Sequence, residues 1–341
     1  VSAKNEFIKI SQRNKNIFFF FLRVTISIGL LWYIFSKIDL EKTKTALRSA
    51  DPGYIFYAFL AFFFIHVILI WRWWIFIQAL NLSVSKWTTV RYFFIGLFGN
   101  LFLPTSIGGD ILKVLGLCRE SSQKAKIVAS VLLDRLSGFI SIVLVAFISF
   151  LYGYRLINDP SVGLLIFALA FFFLLVGIIL FNKVFYSFVS GMFRAFPRVE
   201  NGLIALHEDI LLLKNRKNEG WKAVGLSCLS QSIFSFAFFL IAKALHQNID
   251  FIYFLIFIPL MCMAASFPSI GGLGVREAGA AYLFSKVGVD AAIAVSLSLI
   301  NFLFMIIMGF LGGFIYVITL SSRRVQYSLP NADVSSGEIG G

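Results

Sequence analysis

Long apolar runs, separated by short segments rich in basic residues, dominate the chain. They cover Ile17 to Phe35, Tyr54 to Ile70, Tyr92 to Leu103, Val128 to Leu151, Val162 to Phe181, Val224 to Leu245, Phe251 to Phe267 and Ala291 to Leu320. Most approach or exceed the roughly 20 residues with which a helix spans a bilayer. The pattern predicts an all-α polytopic membrane protein with about eight membrane segments. Tyr92 to Leu103 and Phe251 to Phe267 are short, and each runs into one copy of a related sequence. The first copy reads LPTSIGGDILK from Leu103 and the second FPSIGGLGVRE from Phe267.

Both copies write Pro, then Ser-Ile-Gly-Gly, then a basic residue four places after the last Gly. Pro removes a backbone donor and adjacent glycines permit a sharp turn, so Pro104, Ser106, Gly108 and Gly109, like Pro268, Ser269, Gly271 and Gly272, should break a helix at membrane depth. Non-helical backbone is tolerated there only where protein or a water-filled cavity shelters it. Each copy is therefore expected to be the tip of a re-entrant or broken-helix hairpin. Matching interruptions in two halves point to an inverted repeat with a transporter-type site at its interface. Gly-Gly that merely allows close helix packing is the competing explanation, but it leaves the shared basic residue unaccounted for.

Ionisable residues gather near these turns. Asp110 and Lys113 flank the first, Arg276 and Glu277 the second, and Asp134 and Arg135 interrupt the run in LLDRLSG. Charges inside membrane segments are costly and usually face a cavity or one another. Neighbours on a helix do not face each other, so Asp134 is expected to pair with a cation from another segment. An ion-pair network that closes the bundle is the alternative to a ligand site, and the two can coexist. Arg72, within Trp-Arg-Trp-Trp, is expected to mark a headgroup boundary, Lys243 to snorkel, and Gln231, Ser232 and Ser235 to act as helix glue.

Composition strengthens the membrane reading: 59% of the 341 residues are hydrophobic, 41 are Phe, and only 14% are charged, against roughly 25% charged in soluble domains. The net charge of +13 does not call for nucleic acid, because basic residues concentrate in alternate loops. With the N-terminus inside, the cytoplasmic segments collect Lys4 to Lys15, Lys86 and Arg91, Lys113 to Lys126, the basic residues between Lys183 and Lys222, and Arg323 and Arg324. Lys37 to Arg48 is a local exception to the positive-inside rule. Both termini are thus expected in the cytoplasm and the protein in a bacterial or archaeal cell membrane. The first run is expected to be a retained anchor, since it carries Arg23 and no convincing cleavage site follows. A single membrane domain should cover 1–320, with a first half at about 17–181, a cytoplasmic linker at about 182–222 containing an amphipathic surface helix near Leu203 to Leu213, and a second half at about 223–320; a disordered polar tail should cover 321–341.

Cys118, Cys228 and Cys262, and likewise His66, His207 and His246, are scattered. No disulfide framework, metal spacing, Walker A sequence or nucleophile elbow emerges, so no cofactor, metal or catalytic residue is assigned.

The segments NLFLPTSIGGDILKVLGL, SVLLDRLSGF and PSIGGLGVREAG, in that order, resemble the lysylphosphatidylglycerol synthase transmembrane region, the flippase-like or UPF0104 family. The resemblance extends over roughly Ile17 to Leu320. It implies lipid handling: movement between leaflets of a charged phospholipid or a lipid-linked headgroup. It adds Asn100 and Gly274 to the turn residues. Lys113 stands where Arg is commoner in the family, and Lys grips phosphate as a point charge where Arg can grip it with two parallel bonds. On this reading Lys113, Arg135 and Arg276 hold a lipid phosphate, while Asp110, Asp134 and Glu277 balance charge or couple transport to an ion. The expected partners are membrane lipids, an anionic phospholipid or a polyprenyl-phosphate-linked lipid, together with a separate synthase or glycosyltransferase. The aminoacyl-transferase and glycosyltransferase domains of such relatives are not found here, so neither activity is expected of this chain alone. A membrane subunit of a polyprenyl-phosphate-dependent enzyme, catalytic or scaffolding, stands as the alternative.

Overall fold

A computed structural model describes residues 39–102, 108–154, 160–182, 216–265 and 273–327, with four isolated positions besides. Both turn tips, 103–107 and 266–272, lie outside the described residues, as do the first apolar run apart from Trp32, the stretch around Leu203 to Leu213 and the tail beyond 327. The turn residues Pro104, Ser106, Pro268, Ser269, Gly271 and Gly272 fall in those tips.

The described residues are helical, with no strand among them. Ten helices follow in order: α1 (Leu40–Arg48), α2 (Pro52–Ala79), α3 (Lys86–Phe102), α4 (Gly108–Leu117), α5 (Lys124–Gly153), α6 (Pro160–Phe181), α7 (Lys217–Ala244), α8 (Phe251–Ala264), α9 (Val275–Ser285) and α10 (Ala291–Tyr327). Of these, α2, α5, α7 and α10 are long and apolar enough to cross a bilayer. Charged and amide side chains such as Arg72, Asp110, Asp134, Glu277 and Asn301 are buried, while Phe56, Leu164, Phe171 and Phe314 are exposed. Apolar outside and polar inside is the arrangement expected when the solvent is hydrocarbon. The chain is a polytopic membrane protein.

Local sequence explains the helix ends. Asp51 caps α2 by accepting the Gly53 N–H at 2.7 Å, with Pro52 at the first helical position, where its missing donor costs nothing. α2 stops where Asn81 turns left-handed at φ 52° and the Leu82 N–H reaches back to the Ile77 carbonyl; α7 stops in the same way at His246, φ 59°, with the Gln247 N–H on the Ala242 carbonyl. The two helices thus end alike.

The two 28-residue helices α2 and α7 lie antiparallel. The Asp51 N–H donates to the Ala244 carbonyl at one end, and Arg216 reaches Asn81 at the other. In the first half, α3 and α4 fold back on each other: Gly109 lies against Asn100, Gly96 against Lys113 and Gly116 against Tyr92. In the second, Met261 of α8 meets Gly279 of α9, and Phe254 and Phe257 meet Phe284. The long helix that follows each hairpin, α5 or α10, crosses to the other hairpin. Leu101, Phe94 and Phe98 of α3 fill the glycine face of α10 at Gly309, Gly312 and Gly313, while Ile252 and Ile256 of α8 sit on Gly153 of α5. The two groups of helices thus interlock through their hairpins, with α2 and α7 antiparallel. α6 lies at the periphery against α5.

Three boundaries differ from the sequence reading. α7 begins at Lys217, inside the expected linker, and α10 continues to Tyr327, into the expected tail. Basic residues set both limits in the sequence, yet they extend a helix as readily as they end one, since Lys and Arg are good helix formers. The segment Lys37 to Arg48, read as an outer loop, contains α1, whose first N–H groups are capped by Asp39 and whose Lys42 reaches Asp290 before α10.

Candidate functional site

Five charged side chains from three helices meet beneath the first hairpin. Asp110 stands in the first turn of α4, where the helix dipole favours a carboxylate. One of its oxygens accepts the Arg135 Nε of α5, and the other lies 3.4 Å from the Lys113 Nζ, one turn further along α4. Lys113 is held between rings, its ammonium 4.8 Å from the Phe93 centroid and 5.0 Å from that of Trp73. Asp134, whose side chain is 6% exposed, takes the Arg72 Nε of α2 at 2.7 Å, and Arg72 also donates to the Ser227 Oγ of α7 at 3.1 Å. Asp134 thus pairs with a cation from another helix. Arg72 does not mark a headgroup boundary: its side chain is only 8% exposed and its guanidinium is used inside the bundle. Trp73 beside it turns its Nε1–H inward to Ser130 rather than outward to an interface. With all five ionised, three cations face two carboxylates.

The second hairpin carries a smaller, saturated cluster. Gly274 precedes α9 at φ 84°, a left-handed value that favours glycine, and its N–H donates to the Glu277 Oε2 at 2.6 Å. The Glu277 Oε1 accepts the Ser298 hydroxyl at 2.8 Å and lies 3.4 Å from Arg276. Arg276 also donates from Nε to the Ser298 Oγ and from Nη1 to the Met305 Sδ, with its guanidinium 5.6 Å from the Phe302 ring. Adjacent residues do interact here because Ser298 bridges them. Glu277 is fully buried, and its two oxygens receive three polar groups.

Between the halves lies a cavity of about 370 Å³, walled by α2, α3, α5, α7 and α10. Of the three cations expected to hold phosphate, only Arg135 lines it among the described residues; Lys113 is screened by its rings, and Arg276 by Met305, which itself forms part of the wall. Arg72, Asn100, His66 and Gln231 also face it. Asn100 links site and hairpin, since its Oδ1 accepts the Gly109 N–H at 2.9 Å. Sequence reading passed over His66 as a site residue and ranked Arg72 and Gln231 low. The signal for each was a polar residue inside an apolar run, which helix glue produces equally well. Among the described residues no cluster of three metal-ligating side chains occurs.

The family model described as "Lysylphosphatidylglycerol synthase TM region" matches residues 20–313. The chain belongs to this family. A UPF0104 membrane protein of Pyrococcus horikoshii is similar at 26% identity, over 89% of this chain and 96% of that relative. No solved structure matches the chain significantly. The match extends across both hairpins and every residue of the two charged clusters, so the site lies within the part of the chain that defines the lysylphosphatidylglycerol synthase transmembrane region.

Proposed function

We propose that this member of the lysylphosphatidylglycerol synthase transmembrane region family is a lipid translocase, passing a phosphate-bearing headgroup between leaflets through the cavity between its halves. The observation that carries the proposal is a partly open cavity between the two halves whose largely apolar wall carries two guanidinium groups, Arg72 and Arg135, where hydrocarbon would otherwise forbid charge. Arg135 and Arg72 attract the phosphate, and Asp110 and Asp134 hold those cations in place and limit their excess charge. The hairpins α3–α4 and α8–α9 are re-entrant on this reading, the first from the cytoplasm and the second from outside, with both termini cytoplasmic and the protein in the cell membrane. The basic residues on alternate segments support that orientation. Its partners are lipids, supplied or consumed by a separate synthase or glycosyltransferase.

Leaflet exchange in sealed proteoliposomes tests the reading, with fluorescent phosphatidylglycerol and a polyprenyl-phosphate analogue quenched from outside. The native chain should expose the inner label, and Arg135→Gln should not. If neither lipid exchanges, translocation is the wrong activity and the membrane-subunit alternative takes its place.

A further inference from the structure

We propose that Asn301, on α10, is a second station on the route through the protein: a neutral site for a hydroxyl of the headgroup, closed off from the central cavity by Phe62, Phe234 and Phe304. The proposal rests on the translocation reading and extends its path beyond the cavity. Three observations carry it.

The first is a buried amide with nothing to bond. Asn301 is 1% exposed, and neither its Oδ1 nor its Nδ2 has a hydrogen-bond partner among the described residues. The Ser235 Oγ on α7 is buried and unpartnered in the same way. Buried polar groups are paired in the great majority of cases, because an unmade bond leaves their desolvation uncompensated. Helix glue, the ordinary reason for a neutral polar residue in a membrane helix, requires a partner on another helix. Asn301 has none.

The second is position. Asn301, Met305 and Met308 are spaced i, i+4 and i+7, so they share one face of α10, and the two methionines line the cavity. The Phe62 ring centre lies 6.0 Å from that of Phe234 and 5.8 Å from that of Phe304, which fixes a common level for α2, α7 and α10. From that level α7 runs on toward Ala244, whose carbonyl accepts the Asp51 N–H, while α10 arrives from Asp290, which pairs with Lys42 of α1. Ser235 and Asn301 therefore both lie on the α1 side of the aromatic layer, by roughly 1.5 and 4.5 Å of helix rise. Arg72 lies on the other side, about 15 Å along α2 from Phe62, with Asp134 bonded to it. Polar groups thus stand on both sides of three packed rings.

The third is chemistry. An amide offers both donors and an acceptor, so the site is complementary to a group that donates as well as accepts, an alcohol. An ionised phosphate diester only accepts and would leave the Asn301 Oδ1 unpaired. The charged pair one turn away on the same helix, Arg276 and Glu277, is closed through Ser298. The station therefore passes a headgroup on by hydrogen bonding, and affinity stays with the arginines.

Two variants of the full chain test this. Asn301→Leu keeps the size and removes both unpaired groups, so its unfolding midpoint should equal or exceed the native one. In sealed proteoliposomes it should slow exchange of fluorescent phosphatidylglycerol at least about tenfold, the equivalent of one or two hydrogen bonds, and slow phosphatidylmethanol, which has no headgroup hydroxyl, less than about threefold. Asn301→Cys, with Cys118, Cys228 and Cys262 replaced by alanine, should react with a small neutral methanethiosulfonate at least about tenfold faster than Ala242→Cys in the same background, because the reacting thiolate needs a hydrated setting. Ala242 is buried in the apolar core. A lower midpoint in Asn301→Leu overturns the proposal, since the amide would then be structural. Unslowed exchange overturns it by leaving the amide an occluded water at most, and equal slowing of the two lipids overturns it by removing the hydroxyl. Equal labelling of the two cysteines marks a dry site and has the same consequence. Should the native chain exchange neither lipid, translocation falls, and the labelling ratio alone decides whether Asn301 lines a polar chamber.

Discussion

Removing the Asp134 carboxylate should be among the most damaging single changes available in this protein. In Asp134→Ala the Arg72 guanidinium loses its 2.7 Å partner and keeps only the Ser227 hydroxyl, in a place where the Arg72 side chain is 8% exposed. Breaking a buried pair from one side destabilises by about 3–5 kcal/mol, because an uncompensated charge stays behind. At about 2–4 °C per kcal/mol for a large domain, that is a fall of roughly 6–20 °C in the unfolding midpoint. Replacing both partners by apolar residues, as in Arg72→Met with Asp134→Leu, removes the stranded charge. Such exchanges are near neutral or stabilising, and Ser227 still donates to the Ala223 carbonyl. The double variant should recover most of the lost stability.

Thermal unfolding of the purified protein in detergent, followed by intrinsic tryptophan fluorescence, reads all four corners of the cycle. Trp73, one of six tryptophans, contributes to the signal beside the pair, since it adjoins Arg72 in sequence and donates to Ser130 on α5. A double variant no more stable than Asp134→Ala would refute the reasoning, because the cost would then lie in lost packing rather than in stranded charge. A single variant within about 1 kcal/mol of the native chain, the range of solvated pairs, would refute it differently. Arg72 would then be hydrated through the cavity it lines.

Other changes separate hairpin geometry from charge. Gly109→Val should destabilise by about 1–3 kcal/mol or more, since a Cβ there would press into the Gly96 carbonyl and the Asn100 amide and force α3 from α4; loss of unfolding midpoint measures it. Asn100→Leu should cost about 1–3 kcal/mol by leaving the Gly109 N–H without its acceptor, and thermal unfolding beside Gly109→Val would show whether the two effects overlap. Asp290→Ala should cost about 1 kcal/mol through loss of the cap to the Ala292 N–H. Lys42→Ala, which removes only the exposed 3.6 Å pair with Asp290, should change the midpoint little.

Much of this architecture was legible because membrane helices are read by length and composition. α5 and α10 each contain one of the apolar runs, Val128 to Leu151 and Ala291 to Leu320, and the repeated Ser-Ile-Gly-Gly announced that the two short runs formed a pair. Interlocking was not legible. Nothing in the spacing of Gly309, Gly312 and Gly313 says that α3 of the other half fills their face. α1 was missed because its apolar positions are too few to register beside the membrane runs. The charges near the turns were found because charge in hydrocarbon is conspicuous, but pairing is a three-dimensional property. Arg72 lies 62 residues from Asp134, and aromatic neighbours in sequence suggested an interface that the helix orientation does not supply. The cavity was inaccessible to sequence for the same reason, as its walls come from five helices.

The contrast between the two charged clusters bears on what the repeat is for. Lys113 and Arg276 occupy matching places after the paired glycines, so the turns alone would predict two equivalent sites. Around Arg276 the Nε, Nη1 and Nη2 each donate to a neighbour, the carboxylate beside it receives three polar groups, and Met305 closes the wall. Such a cluster fixes the start of α9 and has little capacity to bind anything else. Around Lys113 and Arg135 the balance differs: Asp110 is shared by two cations, one of its oxygens faces the Lys113 ammonium at 3.4 Å without an aligned hydrogen bond, and the Arg135 side chain is 38% exposed. A buried network that is incompletely satisfied is unstable unless something completes it. Backbone symmetry therefore supplies two hairpins, and side-chain chemistry uses one of them as a fixture while leaving the other electrostatically open toward the cavity. An anionic group entering beside Arg135 would relieve the surplus positive charge of the first cluster and find no equivalent surplus in the second. Binding on the reading advanced here is consequently one-sided within a repeated fold, with the affinity residing in the first half and the second half serving as its wall.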